Sequence, residues 1–363
     1  MTGDRARPAF LDHHCHPLIA DWTHVAGKQP GWRRCFTEGQ TDVPSLIGYR
    51  RFRAALAQLL GCSADEHALA RHRDQRIAAD PAGYLRLLAD DAGISAWCVD
   101  IGYPRGSIDR SVLVESTARP AYLIVRLETL LEQELAAGVE GIADRFEARL
   151  EEQVRDGAVA FKSIAAYRSG LDLPTPTAGA VRLAAADPDQ AVRVTDEALV
   201  ALAVQLGMSV AGRHDLPVQF HTGFGDPELF LPAADPALLT PMLRTANCPV
   251  VLLHGWPYLR QAAYLASVYP NVYADLSLTL PVLEPVADRL LAEVLSACPV
   301  TRVLAASDGH SYPEMYWWGA VVWRRALAKL EDDDLLEPAD TAAILGGTSR
   351  ALYKLDTGAD IIL

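Results

Sequence analysis

The chain has ten histidines in 363 residues, and three of them fall within four positions, in LDHHCHPL at 11–18. His14 and His16 close what reads as an extended run, AFLDHH (9–14), and their spacing of two turns both rings to the same side of the chain. Two imidazoles placed this way can reach one ion. Three more polar residues end apolar runs at the same relative position: His221 after LPVQF, His254 after PVVLL and Asp308 after RVLAAS. Imidazole nitrogens with a carboxylate oxygen are the donors that Zn²⁺ takes, with Mn²⁺ or Fe²⁺ as alternatives because affinity alone does not select among them. A lone HxH is a weak signal, and its weight here comes from the matching residues at the other strand ends. His13 alternates away from His14 and reads as a supporting or packing residue. His24, His67, His72 and His214 lie in helical or loop contexts and read as structural or solvated.

Lys162 ends a further run, in VAFKSIAAYRSG. A lysine at the tip of a buried strand is costly unless its charge is paired or its amine is chemically altered. Three forms compete: a carbamate bridging two metals, an ammonium holding an anionic substrate, and an ion-pair partner of Asp12 or Asp308. Arg168, six residues on, either clamps a substrate carboxylate through paired N–H donors or is a surface arginine of the following loop, with Tyr167 beside it. Asp12, Asp275 and His310 are candidates for orienting ligand rings; Asp275, in the middle of its run, reads equally as a barrel residue with a local partner.

The elements that must bring these residues together follow from the apolar pattern. From residue 94 the runs 94–102, 121–128, 158–167, 216–224, 249–256, 271–278 and 302–309 alternate with helical patterns bounded by Asp, Pro or Gly, and the run at 9–14 makes eight. Eight strands with interleaved helices predict an α/β fold, a (β/α)₈ barrel, in which all strand ends open on one face where sites are built. An open doubly wound sheet is the alternative, but no GxGxxG follows the first strand. Residues 17–90 interrupt the repeat with helical patterns such as SLIGYRRFRAALAQLL and read as a helical cap inserted after strand 1, within a single domain spanning 1–363. TAAILGGTSRALYKL (341–355) reads as the last helix.

Composition narrows the partners. Half the residues are hydrophobic and 22% are charged, the balance of a globular chain with a sizeable core. A net charge of −13 excludes a diffuse attraction to nucleic acid or anionic lipid, so a small molecule is the expected partner, with a homo-oligomer open. The six cysteines show no CxxC spacing, and neither a signal peptide nor an apolar run of spanning length is read, which points to a cytoplasmic location.

The ordered set His14, His16, Lys162, His221, His254 and Asp308 resembles the amidohydrolase superfamily of metal-dependent barrels. FKSIAAYRSGL, PVQFHTGFGDPEL, PVVLLHGWPYLRQAAYLASVYPNVYADLSL and SDGHSYPEMYWWGA are similar to the subgroup near the amidohydrolase-like domain that some fungal and plant proteins carry fused to a glutamine-synthetase-like domain, as are WRRCFTEG and FRAALAQLLGC. No glutamine-synthetase-like region is read in these residues, and HGWPY carries Gly255 and Trp256 where that pattern more often reads Ala-Gly. The resemblance implies that His14, His16, His221 and Asp308 hold a principal divalent metal, Zn or Mn. Lys162 as a carbamate and His254 complete a second site in binuclear relatives; in mononuclear decarboxylase-like relatives the residue matching His254 is the acid/base.

The function expected is hydrolysis of an amide or related C–N bond of a small, carboxylate-bearing substrate by a metal-activated water. Asp308 would move the proton, His254, if free of metal, would stabilise the oxyanion, and Arg168 would orient the carboxylate. The alternative is one-metal, non-oxidative decarboxylation of an aromatic or unsaturated acid, with Trp22, Trp32, Trp256 and Trp317 lining a flat cavity. A binding protein without turnover is the third reading, and the complete ligand set speaks against it.

Overall fold

The computed structural model describes residues 7–36, 42–104 and 106–355. It contains eight parallel strands in sequential order: β1 (Phe10–Cys15), β2 (Ile94–Asp100), β3 (Ala121–Arg126), β4 (Ala158–Ser163), β5 (Val218–Thr222), β6 (Val250–His254), β7 (Val272–Asp275) and β8 (Val303–Leu304). With helices between them they form a (β/α)₈ barrel. The strands obey the period of two that a barrel needs. Trp97 and Val99 of β2, Phe161 of β4 and Phe220 of β5 pack outward among the helices, while Ala96, Cys98, Ile124 and Ala160 form the interior with Leu11 and Tyr353.

The seam between β8 and β1 is closed by side chains as much as by ladder. Asp12 accepts from the backbone N–H of Ser307 at 2.8 Å and from its hydroxyl at 2.5 Å. The N–H of Asp308 donates to the His14 carbonyl at 3.1 Å, and that of His16 to the Gly309 carbonyl at 2.8 Å. This is why the apolar run 302–309 yields a strand of only two residues: Ala305 donates to Ile344 and Ser307 to Asp12, so the run leaves the β7 ladder early. Asp12 thus fastens the barrel instead of orienting a ligand ring. The predicted last helix is also broken, into Pro338–Ala342, a wide turn Ala343–Gly347 and Thr348–Leu352. A Cβ on Gly346 would meet the Ala9 carbonyl and Leu11 at 3.1 Å, so glycine lets this turn press onto β1.

Between β1 and β2 lie α1 (Ile47–Leu60), α2 (Glu66–Ala79) and α3 (Pro81–Ala92). Helix α1 buries Tyr49, Phe52, Leu56 and Leu60, a stripe at helical spacing, and ends at Gly61 with φ of 67°. Phe52 sits edge-on to Trp32 of the insertion and to Trp318 of the long helix Pro313–Asp332, with centroids 5.6 and 5.8 Å apart. α3 packs on β2 and on the same long helix, in the outer ring, so α1 and α2 are the additional helices.

A buried ion pair fastens α2 to the barrel. Arg73 Nε donates to Glu314 Oε1 at 2.6 Å with both side chains fully buried, Tyr84 donates to the same oxygen at 2.8 Å, and Arg73 also reaches the Trp22 carbonyl at 2.6 Å. Removing Glu314 leaves the buried Arg73 charge paired with Asp74 alone and Tyr84 without its acceptor, so Glu314→Ala is expected to lower the unfolding free energy by about 3 kcal/mol. Lys329→Ala, which breaks an exposed pair with Asp333, is expected to leave it unchanged. Urea denaturation of the two variants checks this; equal midpoints would contradict it.

Candidate metal centre

The strand ends bring the sequence-predicted residues to one place. Asp308 Oδ1 lies 3.1 Å from His14 Nε2 and 3.3 Å from His16 Nε2. Lys162 Nζ lies 3.1 Å from His14 Nε2. The His221 ring is 4.5 Å from that of His254, which is 5.9 Å from that of His14. His14, His254 and Asp308 each offer a ligand atom within 4.8 Å of the others. His254 and Asp308 reach this point with φ of 68° and 51°, left-handed values costly for residues with a Cβ, as functional sites often show. The register of β1 on β2 shifts between Asp12 and Cys15. His13, two residues after the interior Leu11, keeps the alternation on that side. It lies in the interior, near Tyr353 and Asp275.

The donor set fits a divalent cation. Nε2 of His221, Nε2 of His254 and Oδ1 of Asp308 are buried without a hydrogen-bond partner, an arrangement that costs energy unless another group satisfies them. Burial, reinforced by Lys162 and neighbouring imidazoles, holds His14 and His221 well below the ordinary histidine range, and burial brings His254 down to about 4. All three rings are neutral at pH 7, the form that binds metal. Burial pushes the Asp308 carboxyl up, but His254, His14 and His16 outweigh it and keep the group ionised.

Two residues that the sequence reading passed over support this cluster. Asp100 ends β2, and its carbonyl lies 3.1 Å from Nδ1 of His16. A carbonyl only accepts, so Nδ1 carries the proton and Nε2 is left with its lone pair toward Asp308. Arg126 ends β3 and grips the Asp100 carboxylate through Nε at 3.1 Å and Nη2 at 2.6 Å. Arg126 and His16, with Lys162 at 3.8 Å, keep Asp100 ionised against burial. Lys162 therefore has Asp100 as its nearest carboxylate, and burial lowers its pKa to about 8. Both residues terminate apolar runs, the same signal that marked the histidines.

The cluster lies in a cavity of about 850 Å³. Arg168 lines it, donating to Glu132 at 3.1 Å, while its Nε is buried without a partner. Tyr167 packs at a tilt against His221, with ring centroids 4.6 Å apart, and Arg34, Cys35 and Phe36 bring the insertion to the cavity edge. Residues 37–39 of WRRCFTEG lie outside the described residues. His310 lines the cavity, with Nδ1 2.9 Å from Ser311 Oγ and its ring against Tyr103. It orients no ligand ring. None of Trp22, Trp32, Trp256 and Trp317 lines the cavity: Trp32 donates to Tyr49 inside the insertion and Trp317 to Asp91 on the outer ring. A larger groove, about 1210 Å³, lies outside the barrel between α1 and the long helix and contains no histidine.

Eight strands whose ends gather His14, His254 and Asp308 around one point define a barrel with a candidate metal centre. Residues 11–355 match the family model described as Amidohydrolase, and the chain belongs to that family. It is 30% identical over 397 residues to Protein fluG of Emericella nidulans, a match that covers 96% of this chain and 46% of that protein. The chain thus spans about half the length of that relative. A Lactobacillus casei protein described as a metal-dependent hydrolase is 28% identical, with 96% of each chain covered and a TM-score of 0.82. A uronate isomerase from Thermotoga maritima, 11% identical with a TM-score of 0.64 over 95% of this chain and 94% of its own, shares the fold.

The support that Asp100 gives to His16 yields a direct expectation. Asp100→Asn keeps the main-chain carbonyl that holds His16 and removes only the carboxylate charge, 3.7 Å from Nδ1 and gripped by Arg126, and should weaken zinc binding by about 10-fold, the lower end for an outer-shell group. Competition with a chromogenic chelator measures it; unchanged affinity in a folded variant would show that His16 is held without the charge.

Proposed function

We propose that the protein is a metal-dependent hydrolase of an amide or related C–N bond in a small, carboxylate-bearing substrate. The observation that carries this reading is the ionised, buried Asp308 carboxylate beside His14 and His16, in a cavity that also presents the unpartnered Nε2 atoms of His221 and His254. His14, His16, His221, His254 and Asp308 would hold one or two Zn or Mn ions, with Lys162 joining them if carbamylated. Such an ion, when bound, lowers the pKa of water and polarises a carbonyl. Asp308 takes the proton of the attacking water on its carboxylate and delivers it to the leaving nitrogen. Arg168, with a buried Nε still to satisfy, binds the substrate carboxylate, and Glu132 holds its guanidinium in place. Arg34, Cys35 and Phe36 of the capping insertion shape the entrance.

We further place the chain beside the amidohydrolase-like domains that accompany glutamine-synthetase-like domains, a reading that the likeness to Protein fluG supports. A reducing, cytoplasmic location accords with six free cysteines. Among the described residues no helix is long and apolar enough to cross a membrane. The partner is a small molecule, without nucleic acid or membrane, and self-association is open to test.

The test uses N-acyl amino acids, γ-glutamyl amides and small unsaturated acids in ¹⁸O-labelled water. Hydrolysis places one solvent oxygen in the new carboxylate, is abolished by a chelator and returns with Zn or Mn. Release of CO₂ from an unsaturated acid, with every C–N substrate intact, would replace this reading with decarboxylation.

A further inference from the structure

The segment that leaves β7, Asp275–Leu–Ser–Leu–Thr279, touches His254 at both ends of the residue. Nδ1 of the ring lies 3.1 Å from the Ser277 carbonyl and 3.1 Å from the Ser277 hydroxyl. Thr279 Oγ1 donates to the His254 carbonyl at 2.9 Å. The carbonyl of Ser277 can only accept, so the ring proton sits on Nδ1. Nε2 then carries a lone pair, and it is the atom left buried and unpartnered at the cavity.

The turn is itself anchored. Asp275 accepts from the N–H of Ser277 and, at 2.6 Å, from its hydroxyl. On the far side His13 Nε2 faces Asp275 Oδ2 at 3.4 Å, His13 Nδ1 lies 3.1 Å from the Tyr353 hydroxyl, and Gln219 donates to that hydroxyl at 2.7 Å. All of these side chains are buried. A polar chain therefore runs through the barrel interior from Tyr353 to the ring of His254.

We infer that the β7 exit turn, through Asp275, Ser277 and Thr279, is a positioning device that locks His254 in its Nδ1–H tautomer and allows it to act only as a lone-pair acceptor through Nε2. In this state His254 holds a metal ion or takes a proton. The neutral ring does not donate a hydrogen bond from Nε2 to a developing oxyanion, so the stabilising role that sequence alone left open to it requires that Nε2 first take a proton. The inference rests on the reading that His254 works at the metal centre, and it concerns how this chain prepares that ring.

The experiment reads the tautomer in metal-free protein by ¹⁵N NMR of labelled histidine, with the His254 signals assigned by their loss in His254→Gln, and separately measures zinc affinity by chelator competition. The expected result is a protonated Nδ1 and an unprotonated Nε2 in the wild type. Asp275→Ala and Thr279→Val should each give a mixture of tautomers and bind zinc about 10- to 100-fold more weakly. A purely structural turn would alter stability and leave the tautomer alone. A wild-type ring protonated on Nε2 overturns the inference, as do folded variants that keep both the wild-type tautomer and the wild-type affinity. If Asp275→Ala does not fold, the wild-type spectrum and the nearly isosteric Thr279→Val decide. Wild-type protein that shows the Nδ1–H tautomer but binds no zinc would contradict the metal reading and leave the positioning result standing.

Discussion

A carboxylate buried in the mouth of a barrel is tolerable only if positive or polarisable neighbours replace the water it has lost. Asp308 meets this constraint with Nε2 of His14 and His16 at 3.1 and 3.3 Å and with His254 close by, and burial keeps the His14 and His254 rings neutral. The combination is incomplete without a cation: beside the anion, Nε2 of His221 and Nε2 of His254 are buried with no hydrogen to accept. Much of the surrounding architecture maintains this arrangement. The Asp12–Ser307 bonds close the seam from which Asp308 projects, and the Asp100 carbonyl sets the tautomer of His16 while Arg126 holds the Asp100 carboxylate.

The insertion between β1 and β2 contributes to the site indirectly. Its mass is committed to packing, with Phe52 between two tryptophans and Arg73 in a fully buried pair with Glu314. Among its described residues, Arg34, Cys35 and Phe36 are the ones that line the cavity. A firmly docked body with a small exposed edge gives the entrance a defined shape, which is what a specificity element requires. The cationic groups of the cavity follow a similar economy. Arg126 and Lys162 share Asp100, and Arg168 is held by Glu132 with one nitrogen left unsatisfied.

The barrel was legible because eight apolar runs with a period of two, separated by helical patterns, admit few other folds. The convergence of His14, His16, Lys162, His221, His254 and Asp308 was legible for the same reason, since each closes such a run. Asp100 and Arg126 close runs as well, and they escaped because an Asp and an Arg at strand ends look like ordinary solvent-facing boundaries until their mutual grip is seen. What the pattern could not carry was the loss of the β8 ladder to Asp12 and the break at Gly346. Each depends on a contact between segments hundreds of residues apart. The tryptophans show the opposite hazard, for residues attractive as cavity walls proved to be occupied in packing and in hydrogen bonds to Tyr49 and Asp91.

The most direct test of this account is the metal content of the intact protein, purified without chelators, supplied with Zn or Mn and freed of excess ion by gel filtration, beside Asp308→Ala treated identically. The account predicts about one or two tightly held ions per chain in the wild type, the stoichiometry of a site with these donors, and their loss in the folded variant. Wild-type protein that retains no ion, or a variant that retains as many as the wild type, would contradict it.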